Sequence, residues 1–243
     1  MIQALLVAMW ALLAPVAHAA EFPAPDRPVA PIISPAYSTE DERDQLGEAQ
    51  RVMDRLGIRP GMRVADIGAG DGYYTVRLAH RLGSGAALYA EDVESWHLDR
   101  LRARLTRDGI VDVTLVHGTA SDPGLPSRAV DLALLAHMYH EIGQPYEFMY
   151  RLHAALAPGA RVAIIDNDRP TESHGTPPAL LRCELGGLGY RQVDFVPLAP
   201  ADGYLAVFVP PDTLPPPAAI RPCRRDQSGA QSKGSTVLQP ARP

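Results

Sequence analysis

A regular alternation of strand-like and helix-like runs between residues 63 and 166 is the feature that most constrains the fold. The strand-like runs are short and apolar, whereas the runs between them repeat apolar residues at helical spacing. Such alternation predicts an α/β fold, a parallel sheet with helices on both faces. The predicted strands are 63–67, 87–91, 113–117, 130–136 and 161–166, and the predicted helices are 73–82, 94–106 and 145–156.

The pattern changes after residue 175. A helix is predicted to begin at Thr176-Pro177, because proline suits the first helical position, and to end at Gly189. Two strand-like runs follow, 190–196 and 204–209, with only a short loop between them. Because a short connection joins antiparallel strands, we expect an antiparallel pair at the edge of the sheet.

The segments that flank this region are rich in proline. Residues 20–37 predict an extended lead-in. Ser38 and Asp41 match the S-x-x-D capping pattern, so a helix is expected from there to about Leu56. Residues 211–243 combine proline with Ser, Gln and Gly and are predicted to be disordered. The folded domain is therefore expected to span residues 38–210.

The N-terminus resembles an export signal. Residues 4–14, ALLVAMWALLA, form an uninterrupted run of 11 apolar residues, which suits a signal peptide and is short for a membrane span. Ala17-His18-Ala19 is an A-x-A cleavage site. We therefore expect residues 1–19 to be a cleaved signal peptide and the mature protein to be exported, into the periplasm. An unprocessed chain would be cytoplasmic or membrane-anchored, and no later run is long enough to cross a bilayer.

Composition excludes several functions. The net charge of −5 does not favour nucleic acid as a partner. Lys233, in the predicted disordered tail, is the single lysine, so Schiff-base chemistry has no lysine in a packed site. Two cysteines do not make a disulfide framework, and we expect Cys183 and Cys223 to be free thiols, with Cys183 in the core.

A glycine loop, Gly68-Ala69-Gly70-Asp71-Gly72, follows the first predicted strand and opens the next helix. Glycines allow a ligand to approach the backbone, and the helix N-terminus offers unpaired N–H groups. The dinucleotide pattern G-x-G-x-x-G requires glycine at position 73, where this chain has Tyr73. Asp66 precedes the loop, and an acid there would repel a diphosphate but suits a cationic amine.

The next predicted strand ends at Glu91-Asp92. A carboxylate at that point can accept two hydrogen bonds from ribose hydroxyls. The predicted ligand therefore carries an amine, a carboxylate and a ribose but few or no phosphates. S-adenosylmethionine has these groups, whereas a nicotinamide cofactor is the weaker alternative.

The segment VADIGAGDGYYT resembles the first motif of class I S-adenosylmethionine-dependent methyltransferases. The likeness continues in order through LYAEDVE, HGTASDPGLP, AVDLALLAHMYHEI and LAPGARVAIID, over about residues 46–167. It is most similar to the small-molecule branch that includes quinone-biosynthesis enzymes. The resemblance implies a Rossmann-like, seven-stranded, mostly parallel sheet with an antiparallel last strand. It also implies transfer of a methyl group from S-adenosylmethionine to a small-molecule acceptor.

The same resemblance assigns cofactor contacts by motif position. Four groups of residues are expected around S-adenosylmethionine: Asp66, Gly68, Ala69 and Gly70 at the methionine end; Asp92, or Glu91 in its place, at the ribose; Thr119 and Ala120 at the adenine; and Ala136 and His137 at the sulfonium. Tyr73 is a candidate cover for the cofactor, although core packing is the favoured alternative for this residue. The family often has an acid at the position of Thr119, and Ser121 or Asp122 would then take its role.

The segment His137-Met138-Tyr139-His140-Glu141 is the most reactive cluster in the sequence. Its spacing matches neither H-E-x-x-H nor H-x-x-E-H, so no metal is predicted. We expect His140 to be a general base, because it follows the carboxyl end of a strand, and Glu141 to orient it or bind substrate. The alternative is that these residues only shape the floor of the pocket.

Three further polar residues lie at and after the end of the fifth predicted strand. Asp166 and Asp168 end the fifth predicted strand and are expected to be solvated turn residues, and His174 is a candidate pocket residue. At the level of the whole chain, two alternatives to an enzyme stay open. One is a non-catalytic module that binds S-adenosylmethionine or a related nucleoside. The other is an exported protein that kept the fold and lost the cofactor.

Overall fold

Seven strands form one sheet in the order β3-β2-β1-β4-β5-β7-β6. This computed structural model describes residues 22–32, 39–199 and 202–224. All pairings among β1 to β5 are parallel, whereas β7 is antiparallel to both β5 and β6. The predicted α/β fold is confirmed, including the antiparallel pair at its edge. The strands are β1 Val64–Ile67, β2 Leu88–Asp92, β3 Val113–His117, β4 Val130–Ala136, β5 Leu156–Asn167, β6 Arg191–Pro197 and β7 Gly203–Val209.

Helices cover both faces of the sheet. One apolar cluster joins the sheet to the helices after β4 and β5, and a second joins its other face to the helices around β1. The helices are α1 Glu40–Gln45, α2 Glu48–Leu56, α3 Tyr73–Leu82, α4 Ser95–Arg107, α5 Pro145–Ala155 and α6 Pro178–Gly187, with short 3-10 turns at Tyr139–Glu141, Thr171–Ser173 and Pro217–Ala219. The parallel strands end at one edge, where the candidate site lies.

The single helix expected to end near Leu56 is instead two helices. Gly47 lies between α1 and α2 in the left-handed conformation, with φ 63°, and ends the first helical run. The N-cap is Thr39, whose side chain and that of Glu42 form a reciprocal capping box. The predicted cap, Ser38, lies outside the described residues. Ser38 with Asp41 and Thr39 with Glu42 both have the spacing of a capping box, and the pair predicted from the sequence is the wrong one.

Residues 210–224 are not the start of a disordered tail. Tyr146 in α5 accepts a hydrogen bond from the backbone N–H of Cys223 at 2.8 Å, and His153 Nε2 lies 2.8 Å from the carbonyl oxygen of Pro211. Ile220 is buried in the core beside these helices. The proline-rich segment forms only a short 3-10 turn, at Pro217–Ala219, but its composition does not prevent it from packing. Residues 225–243 lie outside the described residues.

The expectation of two free thiols, with Cys183 in the core, is wrong, because Cys183 is exposed and bonded. Cys183 in α6 and Cys223 form a disulfide, which fixes the C-terminal segment to that helix. A count of two cysteines excludes a disulfide framework but not a single disulfide. Whether the two cysteines pair depends on whether the chain after β7 folds back to α6. The returning segment 210–224 brings Cys223 back to α6.

The predicted signal peptide lies outside the described residues, which begin at Phe22. Within the described ranges, the helices are all too short or too polar to cross a bilayer.

Candidate active site

The glycine loop lies between the end of β1 and the start of α3. Gly68 has φ 67°, and a Cβ built on it would lie 2.8 Å from Cγ of Met138. Both the backbone conformation and the close approach of Met138 therefore require glycine here. Because Met138 follows β4, this contact brings the fourth strand's loop against the glycine loop.

Asp92 connects the end of β2 to the same loop. Its carboxylate accepts hydrogen bonds from the backbone N–H of Gly70 at 2.8 Å and from that of Glu94 at 2.9 Å. The structure therefore brings together the predicted ribose acid and the glycine loop. The role of Asp92 in holding a ribose stays a prediction.

Glu91 occupies a different environment from Asp92. Its Oε1 is buried and has no hydrogen-bond partner among the described residues, and its Oε2 lies 3.4 Å from the backbone nitrogen of Gly68. Burial, with a contribution from Asp92, raises the pKa of Glu91 to about 8. A carboxyl group that is neutral at pH 7 is a poor acceptor for two ribose hydroxyls, so the geometry favours Asp92 over Glu91.

Asp66 ends up buried against α3. Its carboxylate accepts a 2.6 Å hydrogen bond from the hydroxyl of Thr75. Burial raises the pKa of Asp66 to about 7, and the negative charge of Asp92 adds to that effect. A cationic amine placed beside Asp66 would favour the ionised form, as the sequence-based assignment to the methionine end requires.

Tyr73 packs beneath α1. The guanidinium carbons of Arg43 and Arg77 lie 3.6 Å and 3.8 Å from the centre of its ring, and its hydroxyl donates to Asp44 at 3.0 Å. Both the ring and the hydroxyl group of Tyr73 therefore have partners within the protein. Tyr73 is buried in an apolar cluster, as the alternative of core packing predicts, and its role as a cover for the cofactor stays a prediction.

Glu48 is a site residue that the sequence did not indicate. It accepts hydrogen bonds from Arg43 at 2.7 Å and from the hydroxyl of Tyr74 at 2.9 Å, and Nε2 of His137 lies 3.3 Å away. Burial acts to raise the pKa of Glu48, but His137 and Arg43 outweigh it and lower this pKa to about 2. Glu48 therefore connects α2 to His137, which has φ 56° directly after Ala136 at the end of β4. In the sequence it resembles an ordinary exposed helical acid.

The predicted adenine loop forms hydrogen bonds within itself, between residues 119 and 124. Thr119 and Ala120 are exposed, and the hydroxyl of Thr119 accepts from the backbone N–H of Asp122 at 3.0 Å. The carboxylate of Asp122 accepts from Gly124 N at 2.8 Å and faces Arg151 at 3.4 Å. This loop follows β3 next to Asp92, because Gly118 N donates to the carbonyl oxygen of Asp92 at 3.1 Å.

Asp166 is not a solvated turn residue, which corrects the sequence-based expectation. It is fully buried, and its two carboxylate oxygens lie 3.0 Å and 3.1 Å from Nδ1 of His140. The hydroxyl of Thr176 donates to it at 2.7 Å, and the backbone N–H of Asn167 at 2.8 Å. A carboxylate can only accept, so Nδ1 of His140 carries the proton. Asp168, two residues later, is exposed as expected.

Glu141 and His174 complete this cluster. Nε2 of His140 lies 4.0 Å from Oε1 of Glu141, and the rings of His140 and His174 meet edge to face with centres 5.5 Å apart. Burial and the neighbouring His140 lower the pKa of His174. The structure therefore brings together the predicted base, its predicted partner and the predicted pocket residue.

The lead-in segment fixes this cluster from outside the sheet. The backbone N–H of Ala30 donates to the carbonyl oxygen of His140 at 3.1 Å, and the hydroxyl of Thr171 donates to the carbonyl oxygen of Pro28 at 2.7 Å. Residues 22–32 are irregular, as predicted, yet they hold both 3-10 turns that carry the site.

An open depression of about 470 Å³ lies elsewhere, between α2, α3 and α4. Its arginines Arg77, Arg81 and Arg104 are paired with acids. No predicted site residue lines this depression, so it does not bear on the chemistry of the site.

The strand order, the glycine loop after β1 and the acid that ends β2 define a Rossmann-like fold of the kind that S-adenosylmethionine-dependent methyltransferases share. Residues 64–159 match a protein family described as a methyltransferase domain. This match covers the loop, Asp92 and the His140–Glu141 segment, and it ends before β6 and β7.

Relatives and solved structures agree on this class. The chain is 23% identical to a demethylmenaquinone methyltransferase of Anoxybacillus flavithermus over 119 residues, 49% of this chain and 50% of that protein. It is 25% identical to a ubiquinone/menaquinone biosynthesis C-methyltransferase of a Shewanella species, over 47% of this chain and 46% of that protein. A crystal structure of an S-adenosylmethionine-dependent methyltransferase from Aquifex aeolicus superimposes with a TM-score of 0.62 and 26% identity, over 69% of this chain and 93% of that one. The match spans about half the length of the curated relatives.

Proposed function

We propose that this chain is an exported enzyme that transfers a methyl group from S-adenosylmethionine to a small-molecule acceptor. The observation that carries the proposal is the hydrogen bond between Gly70 N and Asp92, which joins the glycine loop to the last residue of β2. That pairing supports a cofactor site in which the loop backbone approaches the ligand and Asp92 binds its ribose.

The buried Asp66 supports the choice of cofactor. An acid whose pKa burial raises to about 7 is poorly compensated by the described residues around it. A cationic amino group would provide that compensation, as the methionine end of S-adenosylmethionine does.

The reaction itself requires little from the protein beyond positioning. A nucleophilic atom of the acceptor attacks the methyl carbon in line, the sulfur–carbon bond breaks, and S-adenosylhomocysteine leaves. Where the acceptor carries a proton, Nε2 of His140 takes it, while Asp166 holds the ring through Nδ1. Asp166 is thus a positioning residue in this mechanism.

The acceptor is proposed by class only. The relatives named above act on quinone precursors according to their names, but their identity to this chain is 25% or less. We therefore propose an aromatic or quinol-like small molecule as the first acceptor class to test.

Export is the second part of the proposal. The apolar run and the Ala17-His18-Ala19 site support it. The disulfide between Cys183 and Cys223 supports it independently, because disulfides persist in oxidising compartments. Fractionation of cells that express the chain with a C-terminal tag tests this part. Full-length, unprocessed and reduced protein in the cytosol would contradict it.

Calorimetric titration of the mature protein with S-adenosylmethionine and S-adenosylhomocysteine tests the first part. We expect saturable binding that is lost in Asp92→Asn and kept in Asp99→Asn, which changes an exposed acid of α4. No binding at millimolar cofactor would overturn the proposal. Binding without methyl transfer to a panel of quinols, phenols, thiols and amines would favour the non-catalytic module.

A further inference from the structure

We propose that His140, Glu141 and His174 form a binding site for a divalent transition-metal ion, with Zn²⁺ as the ion that suits the ligand set best. One nitrogen from each histidine and one oxygen of Glu141 all lie within 4.8 Å of one another. Two imidazoles and one carboxylate, with positions left for water or substrate, are a ligand set typical of catalytic zinc.

The spacing is compatible with a single ion after a small adjustment. Three atoms within 4.8 Å of one another can all lie within about 2.8 Å of a common point, against about 2.0–2.2 Å for Zn²⁺ bound to nitrogen and oxygen. Each side chain thus needs to move by less than about 1 Å. The 4.0 Å between Nε2 of His140 and Oε1 of Glu141 is too long for a hydrogen bond. Two ligands of a tetrahedral Zn²⁺ lie about 3.4 Å apart, so this pair needs to close by only about 0.6 Å.

Asp166 prepares His140 for this role. Because its carboxylate accepts the proton of Nδ1, Nε2 is the nitrogen that faces Glu141. A ligand histidine in metal sites characteristically donates its other ring N–H to a carboxylate in this way, which fixes its tautomer and orientation. Thr176 and the backbone of Asn167 hold Asp166 in turn.

The backbone around His174 is also fixed. His174 has φ 56°, which is rare for a residue with a side chain. The following Gly175 lies so close to β5 that a Cβ on it would come 2.5 Å from the carbonyl oxygen of Asn167. The three ligands therefore sit on segments that the fold positions tightly, although the chain spacing of His174 from His140 gives no recognisable metal motif.

One chemical consequence rests on the proposed function, whereas the site itself does not. The base role proposed for Nε2 of His140 therefore belongs to the metal-free protein, because a bound Zn²⁺ would occupy that nitrogen. The ion would instead coordinate an acceptor oxygen and lower its pKa, so that its proton leaves to solvent before methyl transfer. Met138, which contacts Gly68, places this cluster beside the cofactor loop.

The test uses untagged mature protein, purified without reductant and treated with a chelator. Calorimetric titration with Zn²⁺ and visible absorption with Co²⁺ should each show a single equivalent bound. Glu141→Gln and His174→Gln should each abolish that binding, and Asp166→Asn should weaken it by about 10–100-fold. His80→Gln, which changes an exposed histidine of α3, should leave it unchanged.

Two results would overturn the proposal. One is the absence of saturable Zn²⁺ and Co²⁺ binding in a folded protein. The other is binding that survives both Glu141→Gln and His174→Gln, or that is lost in His137→Gln alone, because the ion would then lie elsewhere. Circular dichroism of the same variants checks folding, and S-adenosylmethionine titrations separate failure of the metal site from failure of the proposed function.

Discussion

Nε of Arg27 lies 2.9 Å from Oε1 of Glu184, and both side chains are almost completely buried. Arg27 belongs to the lead-in and Glu184 to α6, so the pair fixes the lead-in to that helix. The guanidinium also donates to the carbonyl oxygens of Tyr139, His140 and Ile142 at 3.4 Å. This one cation therefore holds the turn that carries His140.

Removing one partner of this pair should destabilise the protein strongly. Arg27→Met leaves Glu184 buried without its cation, and we expect the free energy of unfolding to fall by about 3–5 kcal/mol. Urea unfolding of the mature protein measures this. Arg55→Met breaks an exposed pair with Asp194 and should cost about 1 kcal/mol or less.

The double variant Arg27→Met/Glu184→Met separates a charge effect from a packing effect. It leaves no unpaired charge, so it should recover most of the lost stability. Equal losses in Arg27→Met and Arg55→Met would contradict the role assigned to Arg27.

The disulfide should contribute to stability in a way that reductant reveals. Cys183 and Cys223 are 40 residues apart, and a crosslink of that span typically adds about 2–4 kcal/mol. We expect a reductant to lower the Tm of the wild-type protein and not that of Cys183→Ser/Cys223→Ser. Thiol titration of the unfolded, unreduced protein should find no free thiol, and two reactive thiols would refute the pairing.

The sheet and the cofactor loop could be predicted because their signals are local. Strand and helix periodicity, and a glycine run between them, depend on residues close in the chain. The position of Asp92 beside Gly70 followed because parallel strands end at the same edge of a sheet.

The misplaced residues depend instead on distant partners. Asp166 resembled a turn residue because His140, which buries it, lies 26 positions earlier. Nothing in the extended lead-in indicated that Arg27 is buried, because its partner Glu184 lies 157 positions later. A buried charge is compatible with the fold only when its partner is present, and no local pattern identifies that partner.

Glu91 should make stability fall as the pH rises. Its pKa is about 8 in the folded protein and near 4.5 when unfolded. Between these two pH values the folded state binds one proton more than the unfolded state, so the free energy of unfolding decreases as the pH increases. The decrease is at most about 1.4 kcal/mol per pH unit. Glu91→Gln should therefore be more stable than wild type at pH 8 and similar to it at pH 4.5.

Urea unfolding at these two pH values measures the difference. Glu48→Gln is the opposite case, because the lowered pKa of Glu48 stabilises the folded state above about pH 4.5. That variant should be less stable than wild type at pH 8. A Glu91→Gln effect that does not change with pH would contradict the assigned ionisation.

Cofactor affinity should depend on the ionisation of Asp66. Its pKa is about 7 in the described structure, and a cationic amine binds the ionised form. The Kd for S-adenosylmethionine should therefore increase as the pH falls below about 7, approaching tenfold per pH unit. Calorimetry between pH 5.5 and 8 tests this.

Two variants identify the group responsible. Asp66→Asn should bind more weakly and without this pH dependence, whereas Asp99→Asn should keep the wild-type profile. A wild-type Kd that is flat across pH 7 would show that Asp66 does not face the amine.

Gly68 should tolerate no side chain, for two separable reasons. Gly68→Ala places a Cβ 2.8 Å from Cγ of Met138 and forces alanine to φ 67°. Gly57→Ala has a similar positive φ, 64°, in the left-handed region, but nothing lies within 4 Å of its Cβ, so it carries the backbone strain alone, about 1–2 kcal/mol. Gly68→Ala should lose more stability than Gly57→Ala and also weaken S-adenosylmethionine binding. Gly68→Ala/Met138→Ala should recover part of the extra loss, and equal urea midpoints for all three variants would contradict the contact.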